Sequence, residues 1–395
     1  MQSPERFDSM LAPSAPTICF VGLANLPLLA REYGAHGVGG AELQQTLLAK
    51  ALVRLGARVS MVVADYGQSD GAVWHGIKTY KSCGPLEGIP ALRFIHPRWT
   101  RLWAALRRAD ADIYYTMCAG AALGQVALFA RHHGRKLVFG VASDSDCDPR
   151  SLLVRFWRDR ALYKYGLRHA DAVLSQTAGQ RRALLSNFAR DSRVVEALSE
   201  PAQRRLDFHE RDIDVLWVAN IRTLKRPDRL LELARRLPEL RFHMVGGPYT
   251  GEHSVFESTR AAAQSLANVD FHGFVSYHEV RGFYERARVF VNTSDVEGVP
   301  NSYLQAWTHG TPVVTLIDPD AVIARNGLGC VVASADEMRR SVMQMLGNVE
   351  QWKLASERCC RYSDECLSES RVLRPYLETL RDVYESSSAA AVRTG

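Results

Sequence analysis

The residues best suited to chemistry lie at 294–312, where an apolar run ends and a short helix is expected. The sequence there reads Glu297-Gly298-Val299-Pro300-Asn301, and Gln305 follows within the expected helix. A strand that ends in an acid, a glycine and a proline before a helix start aims backbone N–H groups and one carboxylate at whatever lies above the sheet. The segment therefore predicts a binding site for a ligand that is anionic and carries hydroxyl groups.

A second candidate segment, residues 220–227, follows another apolar run and also ends at a helix start. It carries Arg222 and Lys225. Cations at this place could neutralise phosphate groups as negative charge develops on a leaving group, which lowers the reaction barrier. The alternative is a solvated basic turn without a ligand.

Glycines make up the third candidate, Gly37-Val38-Gly39-Gly40-Ala41-Glu42, between the first strand and its helix. Because glycine lets a backbone approach a diphosphate closely, Gly39 and Gly40 are candidate phosphate contacts. A tight turn capped by Glu42 would explain the same residues.

Apolar strands alternate with helical segments along the chain, which predicts parallel sheets covered on both faces. Leucines at helical spacing mark a helix at 41–55, and a helix at 227–237 begins with a proline. The expected strands are 18–22, 59–64, 113–116, 137–141 and 172–175, then 215–219, 242–245, 269–271, 289–292 and 312–316. Each half is therefore expected to form a Rossmann-like, doubly wound domain.

The domain boundaries follow from breaks in this alternation. At 395 residues the chain exceeds what one hydrophobic core serves, so two domains of roughly 180 residues are expected. A polar, proline-containing stretch predicts the linker between them. The expected parts are a disordered leader at 1–16, a first domain at 17–200, a linker at 201–212, a second domain at 213–371 and a last helix at 372–388.

The cysteines and the leader indicate a cytoplasmic protein. The eight cysteines show no Cys-x-x-Cys pair and no regular spacing, which argues against a zinc site and against a disulfide framework. The first sixteen residues lack the apolar centre of a signal peptide. No apolar run approaches the ~20 residues needed to cross a bilayer.

Segment 294–312 resembles the donor-binding signature of the retaining glycosyltransferases of family 4, in which two glutamates spaced as E-x7-E hold a nucleotide-sugar. Glu297 matches the first glutamate, which by this resemblance binds donor-sugar hydroxyls, while the backbone at 298–301 contacts the sugar and phosphate. Gln305 stands at the second position, where the family binds the ribose. An amide accepts a hydroxyl without the charge-assisted component, so this role is expected to be weakened.

The other candidate segments fit the same resemblance. Gly39 and Gly40 match a Gly-Gly pair that packs beside the donor diphosphate and the acceptor, and Lys225 matches the family's lysine. The family's arginine position is Asn220, for which Arg222 is the nearby substitute. Catalytic roles are accordingly expected for Glu297 and Lys225.

An acidic segment, Ser143-Asp144-Ser145-Asp146-Cys147-Asp148, follows a strand of the first half. It looks like the Asp-x-Asp metal motif of the other large glycosyltransferase fold, but that conflicts with two Rossmann-like domains, in which cations and helix ends replace the metal. Many members of family 4 place a histidine near this point. Asp144 is therefore a third catalytic candidate, binding the acceptor or assisting its deprotonation, and a helix-capping aspartate is the alternative.

The resemblance, which covers roughly residues 17–385, implies an α/β protein of the GT-B fold, with two Rossmann-like domains facing a central cleft. It also implies that the last helix, 372–388, crosses back onto the first domain. The implied reaction moves a sugar from a nucleoside-diphosphate sugar to a hydroxyl of a saccharide or lipid-linked saccharide, with retention and without a metal or other cofactor. Surface polysaccharide biosynthesis is the expected setting. The alternatives are a non-catalytic GT-B protein that binds a nucleotide-sugar or a partner, and a nucleotide-sugar epimerase on the same fold.

The net charge of +6 is concentrated in the first half of the chain. Residues 93–168 contain 14 basic and 6 acidic residues, and aromatic residues lie among the arginines at 93–108 and 155–164. This mixture suits the headgroup region of an anionic membrane, so peripheral membrane contact is one expectation. The other is that the apolar residues are core and the arginines a solvated face. Nucleic-acid binding is not expected, because no recognised module is present.

Overall fold

A computed structural model describes residues 15–33, 39–84, 87–90 and 92–392. The chain divides into two compact units, one of Met1–Leu198 with Glu369–Gly395 and one of Ser199–Ser368. Of the leader expected at 1–16, all but the last two residues lie outside the described part of the chain, as do Gly37 and Val38 of the glycine-rich segment.

The first unit is built on a sheet of mainly parallel strands. Its described strands are β1 (Ile18–Val21), β2 (Val59–Val63), β3 (Val73–Trp74), β4 (Ile77–Lys81), β5 (Ile113–Met117), β6 (Lys136–Gly140), β7 (Ala172–Ser175) and β8 (Arg193–Val194). They follow the order β3-β4-β2-β1-β5-β6-β7-β8, and only the β3–β4 pair is antiparallel. All four residues of β1 are buried, as expected for a central strand covered on both faces.

Helices cover this sheet. They are α1 (Leu26–Leu29), α2 (Gly40–Arg54), α3 (Thr100–Ala109), α4 (Ala121–His132), α5 (Trp157–His169), α6 (Ala178–Phe188) and the C-terminal helix Glu369–Val392. The C-terminal helix is held to β8 and its neighbours: the Arg193 guanidinium lies 3.0 Å from the Asp382 carboxylate, and the Tyr376 hydroxyl donates to the Glu196 carbonyl at 3.1 Å.

The second unit has an entirely parallel sheet. Its described strands are β9 (Ile213–Val218), β10 (Phe242–Val245), β11 (Val269–Gly273), β12 (Ala287–Asn292), β13 (Val313–Thr315) and β14 (Gly329–Val331), in the order β11-β10-β9-β12-β13-β14. Its helices are α7 (Pro227–Arg235), α8 (His253–Gln264), α9 (Tyr277–Arg286), α10 (Asn301–Thr308), α11 (Val322–Asn326), α12 (Ala335–Gly347) and α13 (Val349–Cys366).

The expected fold class is confirmed: both units are α/β structures on parallel sheets. Most predicted strands and helices agree with the observed ones to within a few residues. The sequence patterns missed β3, β4, β8 and β14. β3, β8 and β14 lie at sheet edges and have only two or three residues, which are too few to show periodicity. β4 has five residues, but Ile77 is its only aliphatic one, so it does not stand out as an apolar run. Strands β3 and β4 are joined by a two-residue turn, His75-Gly76. Both residues have positive φ angles, 51° and 78°, as tight β-hairpin turns require.

The segment expected as a polar linker holds an arginine that the structure buries. Arg211 is 1% exposed and lies immediately before β9. Its guanidinium donates to the carbonyls of Leu206, Ala287 and His309 at 2.6–2.9 Å and stacks on the ring of Trp352, 4.8 Å from the ring centroid. Burial lowers the pKa of Arg211 to about 10. This side chain therefore ties the entry to the second unit to β12 and to the end of α10.

Candidate functional site

Two loops of the second unit, those after β9 and β12, lie where the strand order of its sheet reverses. β9 and β12 are neighbours, but the next strand after β9 adds on one side of the pair and the next after β12 adds on the other. Open parallel sheets bind ligands at such switch points, beyond the carboxyl ends of the strands. Lys225 lies on the first of these loops and Glu297 on the second.

The structure brings these two side chains into contact. The Lys225 Nζ lies 2.5 Å from the Glu297 Oε1, and the two side chains are 15% and 10% exposed. The same carboxylate oxygen accepts from the Ser294 hydroxyl at 2.6 Å and from the Asn292 amide at 3.3 Å. Within the described part of the chain Oε2 of Glu297 has no hydrogen-bond partner, so one carboxylate oxygen stays open to a ligand.

Backbone contacts hold the two loops together. The Thr293 hydroxyl donates to the Lys225 carbonyl at 2.8 Å and accepts from the Trp217 indole at 2.9 Å, so β9, its loop and β12 share one buried network. The Asp295 N–H donates to the Leu224 carbonyl at 3.0 Å. The position of Lys225 relative to Glu297 is therefore set by main-chain geometry as well as by their opposite charges.

Helix α10 begins directly after the Glu297 loop, with Pro300 as its N-cap residue. The orientation of α10 is fixed by its buried face and by Tyr303, whose hydroxyl bonds the Thr315 hydroxyl at 2.5 Å and the Ile317 carbonyl at 3.2 Å. The first N–H groups of a helix lack intrahelical partners and carry partial positive charge. The loop at 297–301 therefore places a carboxylate beside an anion-attracting helix start.

Arg222 lies on the rim of the first loop. Its guanidinium stacks on Tyr249, 4.6 Å from the ring centroid, and its buried Nε has no hydrogen-bond partner among the described residues. The neighbouring Thr223 donates its N–H and its hydroxyl to Glu252 at 2.7 Å, which together lower the pKa of that carboxyl. A buried donor without an acceptor is a place where a ligand oxygen could bind.

The loop after β10 reaches this rim by a very close backbone approach. A Cβ at Gly246 would lie 1.8 Å from the Ala219 carbonyl oxygen, so only glycine fits there. The Ile221 N–H donates to the Gly247 carbonyl at 2.9 Å and continues the pairing beyond the strands.

Gln305 lies on α10, two turns after Glu297. Its side chain hydrogen-bonds the hydroxyl of Tyr277 at the start of α9. The Tyr277 hydroxyl in turn donates to Glu200 at 3.2 Å. The sequence analysis did not single out Tyr277 or Glu200, because their proximity to Gln305 depends on packing between segments far apart in the chain.

The first unit carries the remaining candidates. Gly39 is the N-cap residue and Gly40 the first residue of α2, the helix that follows β1 and the short helix α1. A Cβ at Gly39 would lie 2.5 Å from the Glu42 carboxylate, so glycine lets that side chain fold back over the helix start. This close approach places the Glu42 carboxylate beside the start of α2.

Asp144 and Asp146 have different environments in the one-turn helix Asp144–Cys147. Asp144 is exposed and accepts from the Gln180 amide at 3.0 Å. Asp146 is 3% exposed, and its carboxylate accepts from the N–H groups of Ala142 and Ser143 at 3.0 and 3.3 Å. Burial raises the pKa of Asp146 to about 6. The capping acid of this segment is therefore Asp146, while Asp144 lies at the surface.

No group of three or more His, Cys, Asp or Glu side chains in the described ranges is arranged to hold a metal ion. The second-unit loops instead combine a cation, a carboxylate with one open oxygen and a helix start. Such a site can bind a ligand that joins negative charge to hydroxyl groups. The sequence analysis did not assign a role to Asn292 and Ser294, which orient Glu297. Their signal is that they are polar residues at and just after the end of β12.

Two families of known proteins match this chain. Residues 39–198 match a family described as a glycosyl transferase 4-like domain, and residues 212–348 match the glycosyl transferases group 1. The O-antigen biosynthesis glycosyltransferase WbnH of Escherichia coli is 32% identical over 125 residues, 31% of this chain and 33% of that protein. The match therefore spans about a third of the length of such curated relatives.

Solved structures of similar fold cover almost the whole chain. Sucrose-phosphate synthase from Thermosynechococcus elongatus superposes with a TM-score of 0.73 at 16% identity, over 95% of this chain and 100% of that one. HepE of Anabaena, solved with UDP and glucose, gives 0.71 at 15% identity, over 93% and 100%. The two family matches together cover most of the chain, and the fold agrees with them. The chain therefore belongs to the glycosyl transferases of group 1, with a glycosyl transferase 4-like domain in its first half, and it has the GT-B fold.

Proposed function

We propose that this protein transfers a sugar from a nucleoside-diphosphate sugar to a hydroxyl of a saccharide or lipid-linked saccharide, with retention and without a metal ion. The observation that carries the proposal is the contact between Lys225 and Glu297 at the switch point of the second unit. It unites a cation for the diphosphate with a carboxylate for sugar hydroxyls. The relatives support the substrate class, since WbnH is named for O-antigen biosynthesis and HepE was solved with UDP and glucose.

Lys225 acts on the diphosphate. An ammonium has three N–H donors, and among the described residues one of them is directed to Glu297. The other two can bind phosphate oxygens and stabilise the charge that grows as the sugar departs. The unpartnered Nε of Arg222 and the start of α10 add to this positive field.

Glu297 binds the transferred sugar through Oε2, while backbone groups of Gly298, Val299, Pro300 and Asn301 line the sugar and phosphate. A hydrogen bond to an ionised carboxylate is roughly twice as strong as a neutral one. Gln305 lies where the ribose is expected. In the first unit, Gly39 and Gly40 remain candidates for diphosphate contact and Asp144 for the acceptor.

Retention is proposed to follow a front-face route. Oε1 of Glu297 accepts hydrogen bonds from three donors, and Oε2 is proposed to accept from sugar hydroxyls. With both oxygens hydrogen-bonded, this carboxylate is a poor nucleophile. The bond from the anomeric carbon to the phosphate oxygen breaks while the bond to the acceptor oxygen forms. The acceptor proton passes to the departing phosphate.

The test is turnover of radiolabelled nucleotide-sugars by the purified full-length chain with saccharide acceptors. We expect transfer that Glu297→Ala and Lys225→Ala abolish and that Asp295→Asn, an exposed acid of the same loop, leaves intact. Tight donor binding without transfer would favour a non-catalytic binding protein. Conversion of the donor to a new sugar and free nucleotide without an acceptor would favour an epimerase.

We also propose that the protein works at the cytoplasmic face of an anionic membrane. No helix among the described residues is long and apolar enough to span a bilayer. The first unit exposes an arginine–aromatic surface, defined here as Phe94, Leu153, Arg155, Phe156, Trp157 and Arg158. Leu153, Phe156 and Trp157 are 70%, 49% and 82% exposed.

Arginines accompany these apolar side chains. The Arg158 guanidinium lies 4.0 Å from the Phe94 ring centroid and 5.1 Å from that of Phe156, and it also pairs with Asp159 at 3.1 Å. Arg155 lies 5.5 Å from the Phe156 ring centroid. Interfacial aromatics combined with guanidinium groups match a layer of anionic headgroups over an acyl boundary. None of the eight cysteines, all of which lie within the described ranges, forms a disulfide bond, which fits a reducing compartment.

A further inference from the structure

Gln305 belongs to a cluster of four side chains in the second unit, together with Tyr277, Glu200 and Arg281. The Tyr277 hydroxyl donates to the Glu200 Oε2 at 3.2 Å and also hydrogen-bonds the Gln305 amide. Arg281, one turn further along α9, donates to the same Glu200 oxygen at 3.2 Å and to the Pro201 carbonyl at 2.9 Å. Glu200 comes from the segment that enters this unit, far from α10 in sequence.

The direction of each hydrogen bond follows from the donors available. A tyrosine hydroxyl has one proton, and a carboxylate can only accept, so Tyr277 gives its proton to Glu200. The Gln305 amide must then supply the donor to the Tyr277 oxygen. The order is Gln305 amide N–H to Tyr277 oxygen, then Tyr277 hydroxyl to Glu200, with Arg281 on the far side of the carboxylate.

Glu200 keeps one oxygen for a further donor. Among the described residues, all its bonds go to Oε2, and its side chain is 32% exposed. The amide oxygen of Gln305 is likewise available as an acceptor, because it is the amide N–H that donates to the Tyr277 oxygen. The cluster therefore offers two acceptor oxygens, one from a carboxyl group and one from an amide, at the place where the proposed function puts the ribose.

We infer that Glu200 supplies the carboxylate that binds the ribose hydroxyls of the donor nucleotide, and that Gln305 and Tyr277 hold it in position. This inference rests on the proposed function. It explains why residue 305 is an amide in this chain: the carboxylate of the site comes from another segment, and the Tyr277 oxygen needs a donor beside it.

A glutamate at 305 would disturb this arrangement. Its carboxylate would face the oxygen of a hydroxyl whose single proton is already given to Glu200, so two carboxylates would compete for one proton. Gln305→Glu is therefore expected to weaken nucleotide binding. Adding Glu200→Gln removes the competition, and the double variant should recover affinity.

The experiment measures dissociation constants by calorimetry for the full-length chain, first with UDP, GDP, ADP and CDP, then with the 2′-deoxy and 3′-deoxy forms of the tightest. We expect the wild type to prefer the ribose form by roughly tenfold or more, the scale of a hydrogen bond to a charged group. Glu200→Gln and Tyr277→Phe should bring this ratio close to one. Glu279→Gln, an exposed glutamate of the same helix, is the matched control and should keep it.

The outcomes separate the two proposals. If Glu200→Gln binds the nucleotide with an unchanged ribose-to-deoxyribose ratio, the inference is overturned and the proposed function stands. The inference also falls if Gln305→Glu alone tightens binding. If none of the four nucleotides binds and no donor turns over, the proposed function fails and takes the inference with it. Because the ratio compares two ligands on one folded protein, a general loss of stability does not alter it.

Discussion

Lys225 and Glu297 are 72 residues apart in the sequence, yet the ammonium of one lies 2.5 Å from the carboxylate of the other. Both side chains are largely removed from water, and both follow strands that are neighbours at the switch point of the sheet. Replacing either residue by a neutral one would therefore remove a charge that contacts a ligand bound at this switch point.

Glu297→Gln should lower kcat/KM for sugar transfer by about 100-fold, because the amide loses the charge-assisted bond to the sugar. The shape of the side chain is kept, so the melting temperature should change little. Asp295→Asn is the control for a general effect of loop charge. Steady-state kinetics with equal activity in the wild type and Glu297→Gln would contradict the assigned role.

The buried carboxyl of Asp146 predicts a pH dependence of stability. Its pKa of about 6 in the folded chain lies above that of an unfolded aspartate, near 4. Between these values the folded state holds a proton that the unfolded state has lost, so stability from this group is present below about pH 4 and falls as the pH rises to about 6.

Asp146→Asn isolates this effect, because other groups titrate equally in both proteins. The stability of the variant relative to the wild type should rise by on the order of 2–3 kcal/mol between pH 4 and 7. Melting temperatures recorded across this range provide the measurement. A difference that is flat with pH would show that burial does not hold the proton on Asp146.

Arg211→Met should destabilise the second unit by about 3–5 kcal/mol, because it leaves several buried carbonyls without a donor. Arg211→Lys should recover little, since an ammonium cannot reach the same acceptors as a planar fork. Urea unfolding followed by tryptophan fluorescence would detect the change, as Trp352 stacks on the guanidinium. Arg235→Met, on the exposed face of α7, is the control, and a loss below 1 kcal/mol for Arg211→Met would refute the prediction.

Two glycines of the second unit should respond in opposite ways to alanine. Gly246→Ala should impair folding or donor binding, because its Cβ would collide with the Ala219 carbonyl. A Cβ at Gly282, within α9, would have open space around it. Gly282→Ala should therefore leave the free energy of unfolding unchanged or raise it by up to about 1 kcal/mol, because alanine has the higher helix propensity. Thermal melts and nucleotide titrations of both variants would test this, and equal effects would speak against the close approach.

The arginine–aromatic surface should bind anionic vesicles. We expect the full-length chain to sediment with vesicles of 30% phosphatidylglycerol in phosphatidylcholine, less so with phosphatidylcholine alone and less at high salt. Phe156→Ser with Trp157→Ser should weaken this binding by roughly tenfold or more. Leu185→Ser, at an exposed leucine on α6, should not. Binding that survives the double change would assign the surface to another partner.

Much of this architecture could be predicted from local sequence. Apolar runs such as β1 and helices such as α2, with leucines on one face, report their own periodicity, so the alternation that defines the fold class is visible without a structure. The loop at Glu297 and the basic turn at Lys225 could also be found, because each motif is contiguous in the chain. Short edge strands such as β3 and β8 carry too few residues to show a pattern.

The sequence by itself determined which residues end the strands and which charges they carry. Only the tertiary structure decided which of them meet: that Lys225 contacts Glu297, that Arg211 is buried under Trp352, and that Glu200 reaches Gln305 through Tyr277. The physical reason is that these contacts depend on strand order and on packing between segments far apart in the chain. Neither is encoded in the periodicity of any single segment.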